Sequence, residues 1–262
     1  MTILRTGMQG SVRRGRDNLP NVKQTISLLL CCVAVHAQAQ TGGSNPPSPF
    51  QSGVALTSDR VWRGLSDTRG QPAAIGEIKW AWANGPLVGF WASNAADDRY
   101  GGHLHLLPFV GYEWTSGTVN AELAYLRHIR PGARQSDGSN LDFGELNTSL
   151  GVSGKRVSLR VGLFYSPDFY AGGHSVYEYI DGAVKLVKLA TFQISAIAHI
   201  GASQFSRTAI GDYEDWKVGL RAGRKPWSAS AALTGANPRP DSPLFGSADT
   251  GRRFAVTVNY TP

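Results

Sequence analysis

The nine residues VSLRVGLFY (157–165) decide the fold because their side chains alternate between two kinds of surface. Every odd-numbered residue is valine, leucine or tyrosine, whereas Ser158 and Arg160 occupy even positions. Successive side chains of a β-strand point to opposite faces of the sheet. The stretch therefore predicts a strand with one apolar face and one polar face.

The same alternation recurs in twelve segments of the chain, and glycine, proline and asparagine separate them. Many segments reach the 9–11 residues, roughly, that a tilted strand needs to cross a bilayer. An even strand number, with short and long connections in turn, is typical of bacterial outer-membrane barrels. The sequence therefore predicts an all-β fold, an antiparallel transmembrane β-barrel of about twelve strands. A soluble β-sandwich has the same periodicity and stays an alternative.

The first 39 residues have the pattern of a secretory signal peptide. Basic residues precede the apolar run ISLLLCCVAVHA (26–37), which ends in Ala37, and the small residue Ala39 stands two positions later. Both cysteines, Cys31 and Cys32, lie inside this leader, so we expect neither disulfides nor thiol chemistry beyond it. Five basic residues and one acidic residue also lie there, so the formal charge of +7 falls to +3 without them. This modest charge argues against nucleic acid as a partner.

Three segments follow from these patterns. Residues 1–39 are the predicted signal peptide, residues 40–51 a flexible Gly/Pro/Ser lead-in, and residues 52–262 the barrel. We expect export to the outer membrane, contact with its lipids, and assistance from the barrel-assembly machinery.

A second stretch, LTSDRVWRGLSD (56–67), is unusually charged for a strand. Its alternation predicts the first barrel strand, with Asp59 and Arg63 facing inward and Trp62 facing outward. Arg60 is the exception because it shares the parity of Trp62. An arginine facing lipid at mid-bilayer costs about 2–4 kcal/mol, so we expect Arg60 at headgroup depth or a local bulge.

Residues 53–94 resemble the family of TorF-type porins, a proteobacterial group of exported proteins. The matching positions run from SGVALTSDRVWRGLSDTRGQPAAIG to GPLVGFWASNAADD. The motif residues are Ser58, Asp59, Trp62, Arg63, Gly64, Pro72, Gly89, Trp91, Ser93 and Asn94. Arg60 stands where the family has an aromatic residue. The resemblance implies an outer-membrane barrel that passes solutes, and it supplies no catalytic residues.

Charged residues of both signs occupy the polar parity of the predicted strands. We expect these side chains to line the lumen: Asp59, Arg63, Lys79, Glu122, Arg156 and Arg160. The predicted function is a porin that allows passive diffusion of small polar solutes through a narrow charged lumen. A non-conducting structural or adhesion barrel and an outer-membrane barrel enzyme are the alternatives.

The sequence offers little to catalysis or cofactor binding. His103 and His105 share one strand face, but they lack an evident third ligand, so we expect no metal site. No nucleophile elbow and no recognisable Ser/His/Asp spacing occurs. We therefore expect neither an enzyme nor a cofactor. A barrel enzyme would have to use His103, His105 or His128 with a nearby serine.

Overall fold

The computed structural model describes residues 49–97, 102–134, 138–170, 173–206, 210–240, 242, 244 and 250–262. The predicted signal peptide and most of the predicted lead-in lie outside these residues. Within them, no helix is long and apolar enough to span a membrane.

Fourteen strands make up the described structure, and none of it is helical. Twelve strands form the barrel and two form a small hairpin. In chain order they are β1 (Phe50–Thr57), β2 (Val61–Trp62), β3 (Leu65–Ser66), β4 (Ala73–Ala81), β5 (Pro86–Asp97), β6 (Gly102–Ser116), β7 (Val119–His128), β8 (Phe143–Ser153), β9 (Val157–Phe169), β10 (Gly173–Leu189), β11 (Phe192–Ser206), β12 (Tyr213–Arg224), β13 (Trp227–Pro238) and β14 (Arg253–Tyr260).

The barrel closes because β1 pairs antiparallel with strands from both ends of the chain. On one side β1 pairs with β4, in register Phe50↔Trp80 to Thr57↔Ala73. On the other side it pairs with β14, in register Val54↔Tyr260 to Thr57↔Thr257. Every other barrel strand pairs with its neighbours in sequence. Closure leaves no free strand edge, as a sheet surrounded by lipid requires.

The outer face of the barrel is apolar. Large apolar side chains at alternate positions are exposed along the strands, for example Leu56, Val110, Leu159 and Val218. The twelve-strand antiparallel barrel predicted from the alternation is confirmed. An apolar belt around a closed barrel is the surface that a bilayer solvates, and the chain is a transmembrane β-barrel.

All connections of more than four residues lie at one end of the barrel. The other end carries the connections 82–85, 117–118, 154–156, 190–191 and 225–226, together with the start of β1 and the end of β14. We call it the short-turn end. The opposite, long-loop end carries the connections 58–72, 98–101, 129–142, 170–172, 207–212 and 239–252.

Arginine substitutions on the outer face test how the barrel sits in lipid. Val218 lies in the middle of β12, whereas Val157 begins β9 at the short-turn end, and both side chains are exposed. We expect Val218→Arg to lower the free energy of unfolding by about 2–4 kcal/mol and Val157→Arg by about 0–1 kcal/mol. Denaturant unfolding in lipid vesicles measures both values. Equal losses at the two positions would contradict this placement in the membrane.

Candidate functional site: a hairpin inside the barrel

The connection between β1 and β4 folds into the barrel lumen. Its strands β2 and β3 pair as Val61↔Ser66 and Trp62↔Leu65. Arg63 and Gly64 form the two-residue turn between them, with φ angles of 50° and 75°. Positive φ at both turn residues matches the type I′ turns that suit tight hairpins. We call residues 58–72 the plug.

The plug corrects the prediction for LTSDRVWRGLSD, because β1 ends at Thr57 and the charged stretch is not a barrel strand. Trp62 does not face outward. Its ring lies 5.5 Å from that of His128 and 6.5 Å from that of Phe143, inside the barrel. Arg60 is 6% exposed and therefore does not reach lipid headgroups. Charged side chains in this stretch need polar partners, which the inner strand faces supply and lipid does not.

Arg63 is the central anchor of the plug. Its Nη1 and Nη2 donate to Oε1 and Oε2 of Glu145 on β8, at 3.0 and 2.8 Å. Its guanidinium also lies 4.4–4.6 Å from the ring centres of Trp62, Phe164 and Tyr177. Burial opposes the charge, but the Glu145 carboxylate outweighs it and raises the pKa of Arg63 above its ordinary value. The guanidinium of Arg63 therefore stays charged beside this carboxylate.

A chain of hydrogen bonds continues from Glu145 through two buried imidazoles to Arg60. Arg60 Nη2 lies 3.1 Å from His105 Nδ1, His105 Nε2 lies 2.9 Å from His128 Nδ1, and His128 Nε2 lies 3.1 Å from Glu145 Oε2. Arginine can only donate, so His105 accepts at Nδ1 and donates from Nε2. The same order then holds for His128. All four ring nitrogens are used by these bonds.

Two acidic residues of the plug fix its other side. Asp67 accepts from Nη1 and Nη2 of Arg130 at 3.0 and 3.2 Å, and it also contacts Arg60. Asp59 accepts from Ser66 and Thr68 within the plug, and its Oδ2 accepts from Arg253 Nη1 on β14 at 3.1 Å. Its carboxylate thus joins the two ends of the hairpin to the wall.

Gly64 presses the tip of the plug against the opposite wall. A Cβ at this position would lie 2.5 Å from Cβ of Asp215 on β12 and 2.9 Å from the carbonyl oxygen of Gly235 on β13. Together with the bonds to β6, β8 and β14 and the contact of Trp62 with the ring of His128 on β7, these contacts reach strands on all sides of the barrel. The plug therefore spans the lumen at the long-loop end.

Most motif residues of the resemblance lie in the plug or beside it. Ser58 bonds β14 through its backbone and its hydroxyl, and Asn94 bonds the carbonyl of Pro72 and the amide of Ala74. Arg60 lies 5.1 Å from the ring centre of Trp91. Ser93 is buried beside Asn94, whose carbonyl accepts from its hydroxyl. Gly89 lies elsewhere, beneath the ring of Phe109.

The residues predicted to line the lumen have different surroundings. Asp59 and Arg63 belong to the plug, while Lys79 on β4 is buried and its Nζ donates to Glu113 Oε2 on β6 at 2.9 Å. Glu122 and Arg160 are half-buried on inner strand faces. Arg156 is exposed in the turn between β8 and β9. That these residues line a conducting pore stays a prediction.

The partners of the plug were not predicted. They include Glu145, Arg130, Arg253 and Asp215 on the wall and Asp67 within the plug. The hairpin itself has a sequence signal, because Val61-Trp62 and Leu65-Ser66 flank an Arg-Gly pair. A two-residue turn ending in glycine between short apolar segments is typical of a tight hairpin. The partners on the wall lie 45–194 residues away along the chain, and no local pattern predicts such pairings.

The two histidines of β6 have different surroundings. His105 is enclosed in the hydrogen-bond chain, whereas His103 is exposed. Among the residues that the structure describes, no group of three histidine, cysteine or acidic side chains could hold a metal ion.

These features define a class, a transmembrane β-barrel with an internal plug. The chain also matches a family model over residues 40–260, described as a bacterial protein of unknown function (Gcw_chp). It belongs to this family. The finer resemblance to TorF-type porins stays a prediction. No curated protein is significantly similar to the chain.

Several solved outer-membrane barrels are similar to the structure. The NanC porin is 11% identical, with a TM-score of 0.45 over 80% of this chain and 98% of its own. An outer membrane channel of Pseudomonas putida F1 (COG4313) is 10% identical, with a TM-score of 0.43 over 85% and 99%. LpxR from Salmonella typhimurium is 8% identical, with a TM-score of 0.43 over 80% and 99%. These likenesses concern the barrel fold alone.

Proposed function

We propose that the protein is an outer-membrane channel for small polar solutes and that the plug closes its lumen at the long-loop end. The observation that carries this proposal is the contrast between the two halves of the lumen. The long-loop half is filled by the plug, whereas in the short-turn half the buried cluster of Ala81, Leu87 and Phe109 covers one side only. Elsewhere in that half, inner side chains are partly or fully exposed, for example Glu122, Arg160 and Arg221.

The attachment of the plug supports a closure that can open. Side chains make most of its contacts to the wall, and the hairpin forms no ladder with a barrel strand. Between the tip region and the wall, one backbone bond is present in the described residues, from Ala96 N to Asp67 O at 3.0 Å. A segment held by side chains can leave without breaking the sheet that forms the barrel.

The width of the barrel is compatible with small solutes. Twelve strands spaced about 4.8 Å apart and tilted by about 40° give a backbone ring roughly 24 Å across. Side chains on both walls reduce the free width to roughly half of that. By analogy with outer-membrane barrels, the short-turn end faces the periplasm. Without the plug, the lumen would therefore admit molecules of the size of amino acids and small sugars.

A non-conducting structural barrel is the second candidate, and the contacts of the plug on all sides of the lumen favour it. The proposal includes no catalytic step. The nitrogens of His105 and His128 are occupied by hydrogen bonds, so neither imidazole is available as a base while the plug is seated.

Conductance measurements test the proposed channel. The protein, expressed as the full chain and purified from outer membranes, is expected to migrate differently on gels before and after heating, as closed barrels do. In planar bilayers we expect rare openings of the unaltered protein and frequent openings of plug variants. Protein that stays soluble without detergent would contradict the membrane fold. If every variant that migrates as a heat-modifiable barrel shows no conductance, the channel proposal fails and the structural barrel remains.

A further inference from the structure

The short-turn half of the lumen carries opposite charges on opposite walls. Three carboxylates face inward from β4, β6 and β7, and three cations face inward from β10 and β12. The carboxylates are Glu77, Glu113 and Glu122, and the cations are Lys185, Lys217 and Arg221. We call this region the vestibule.

The strand order makes the two walls face each other. In the closed sequence of twelve strands, β4 and β10 are six places apart, and so are β6 and β12. Strands half the circumference apart lie across the lumen from one another. Glu77 and Lys185 therefore occupy opposite walls, and so do Glu113 and Arg221.

Nearby residues of opposite charge reduce this separation without abolishing it. Lys79 lies on the acidic wall and binds Glu113, and Arg160 on β9 reaches that wall, where its Nη2 donates to Asn120 Oδ1 at 3.3 Å. On the basic wall, Asp181 and Asp215 each accept from His199, at 2.8 and 2.9 Å. With these residues counted, carboxylates still outnumber cations on the acidic side, and cations outnumber carboxylates on the basic side.

The turns at the mouth of the vestibule repeat the asymmetry. The turn 225–226 and the end of β12, on the basic side, carry Arg224 and Lys225. The turns 82–85 and 117–118, on the acidic side, carry no charged residue. The turn 154–156 joins β8 and β9, between the two walls, and carries Lys155 and Arg156. The basic side therefore extends to the rim at β12.

We propose that the vestibule takes up and orients small zwitterions, with the cationic group toward β4, β6 and β7 and the anionic group toward β10 and β12. A narrow cleft with low-dielectric walls concentrates the field of its charges. A purely anionic or cationic solute is attracted to one wall and repelled by the other. A zwitterion gains at both walls. This inference deepens the proposed channel by naming its solute class, and it relies on that function only for transport.

Thiol labelling measures the two local potentials without any need for conduction. Ser195 on β11 is the register partner of both Lys185 and Arg221, and Thr115 on β6 lies two residues from Glu113. Ser195→Cys and Thr115→Cys are made in the full chain with Cys31 and Cys32 changed to serine, so each protein has one thiol. Each is treated with an anionic and with a cationic methanethiosulfonate of similar size.

We expect the ratio of anionic to cationic labelling rates to be about tenfold higher at position 195 than at position 115. The difference should shrink as salt rises above about 0.1 M, because the charges are then screened. Arg221→Gln should lower the ratio at 195, and Glu122→Gln should raise it at 115. Equal ratios at the two positions would overturn the charge separation and the proposal.

Protection experiments with four matched solutes test the class of ligand. We expect 4-aminobutyrate to slow labelling by about twofold at both positions. Butyrate should protect position 195 only, butylamine position 115 only, and butyramide neither. Protection by 4-aminobutyrate no greater than that by butyramide would overturn the proposal. An absence of conductance in planar bilayers would instead contradict the proposed channel, and it would not change these labelling results. Failure of the channel and failure of the zwitterion site can therefore be told apart.

Discussion

Gly64→Ala is expected to release the plug and to raise the open probability of the channel by on the order of tenfold or more. The residue has φ +75°, where alanine costs about 1–2 kcal/mol. The new Cβ would also lie 2.5 Å from Asp215 Cβ and 2.9 Å from the carbonyl oxygen of Gly235. The latter belongs to the sheet and cannot move aside, so crowding adds about 1–3 kcal/mol. Single-channel recording measures the open probability.

Gly70→Ala is the matched control because it separates the backbone effect from the crowding. Gly70 has φ +76°, but the nearest atom to its Cβ would be Arg253 Nη1 at 3.6 Å. The control therefore has the same backbone strain without a collision, and its open probability should rise far less. Equal effects of the two substitutions would show that the tip of the plug is not seated against β12 and β13.

Proteolysis gives a second measure of plug release that does not depend on conduction. Trypsin cleaves after arginine, and in the seated plug Arg60 and Arg63 are 6% and 8% exposed, whereas Arg69 is exposed. Cleavage after Arg63 should therefore appear in Gly64→Ala and remain absent in the unaltered protein. Cleavage after Arg69 serves as the internal reference.

The barrel could be predicted from the sequence because its determinants are local. Alternation along segments such as 157–165 reports which face meets lipid, and an even count of such segments specifies closure. The outward positions of Leu159, Val218 and Val256 follow from parity alone. Strand ends depend on pairing with the neighbouring strands, as where Phe50 at the start of β1 pairs with Trp80.

The plug could not be predicted in the same way because alternation has two explanations. In LTSDRVWRGLSD the same period arises from a hairpin that is buried on both faces and not from a strand that has lipid on one face. Arg60 was inconsistent with a barrel strand, since its parity placed a charge in lipid. Its true environment depends on His105, Asp67 and Arg130, which come from three different parts of the chain. A charged residue at a position that should face lipid is thus better evidence that its segment lies inside the barrel than that the residue lies at headgroup depth.

Arg63→Ala is expected to have the largest effect on stability of any substitution in the plug. Glu145 is 0% exposed, and its carboxylate would lose both bonds from Arg63 and keep the one from His128. Removing one partner of a buried ion pair typically lowers the free energy of unfolding by about 3–5 kcal/mol. Denaturant unfolding in vesicles measures this loss, and bilayer recording should show frequent openings. Arg156→Ala removes the same charge from an exposed turn and should change stability by less than about 0.5 kcal/mol.

The double variant Arg63→Met/Glu145→Leu distinguishes an ion-pair anchor from a general effect of packing. With both charges removed, no buried charge is left unpaired, so we expect most of the lost stability to return. If contact with the rings of Trp62, Phe164 and Tyr177 is enough to hold the plug in place, the double variant should open less often than Arg63→Ala. If the charges are needed to hold the plug, the double variant should open as often as Arg63→Ala. Two results would mean that Arg63 and Glu145 do not act as a pair. One is a loss of unfolding free energy below about 1 kcal/mol in a single variant, and the other is a loss in the double variant equal to the sum of the two single losses. The plug would then be held by the Asp59–Arg253 and Asp67–Arg130 contacts, and its tip could open without them breaking.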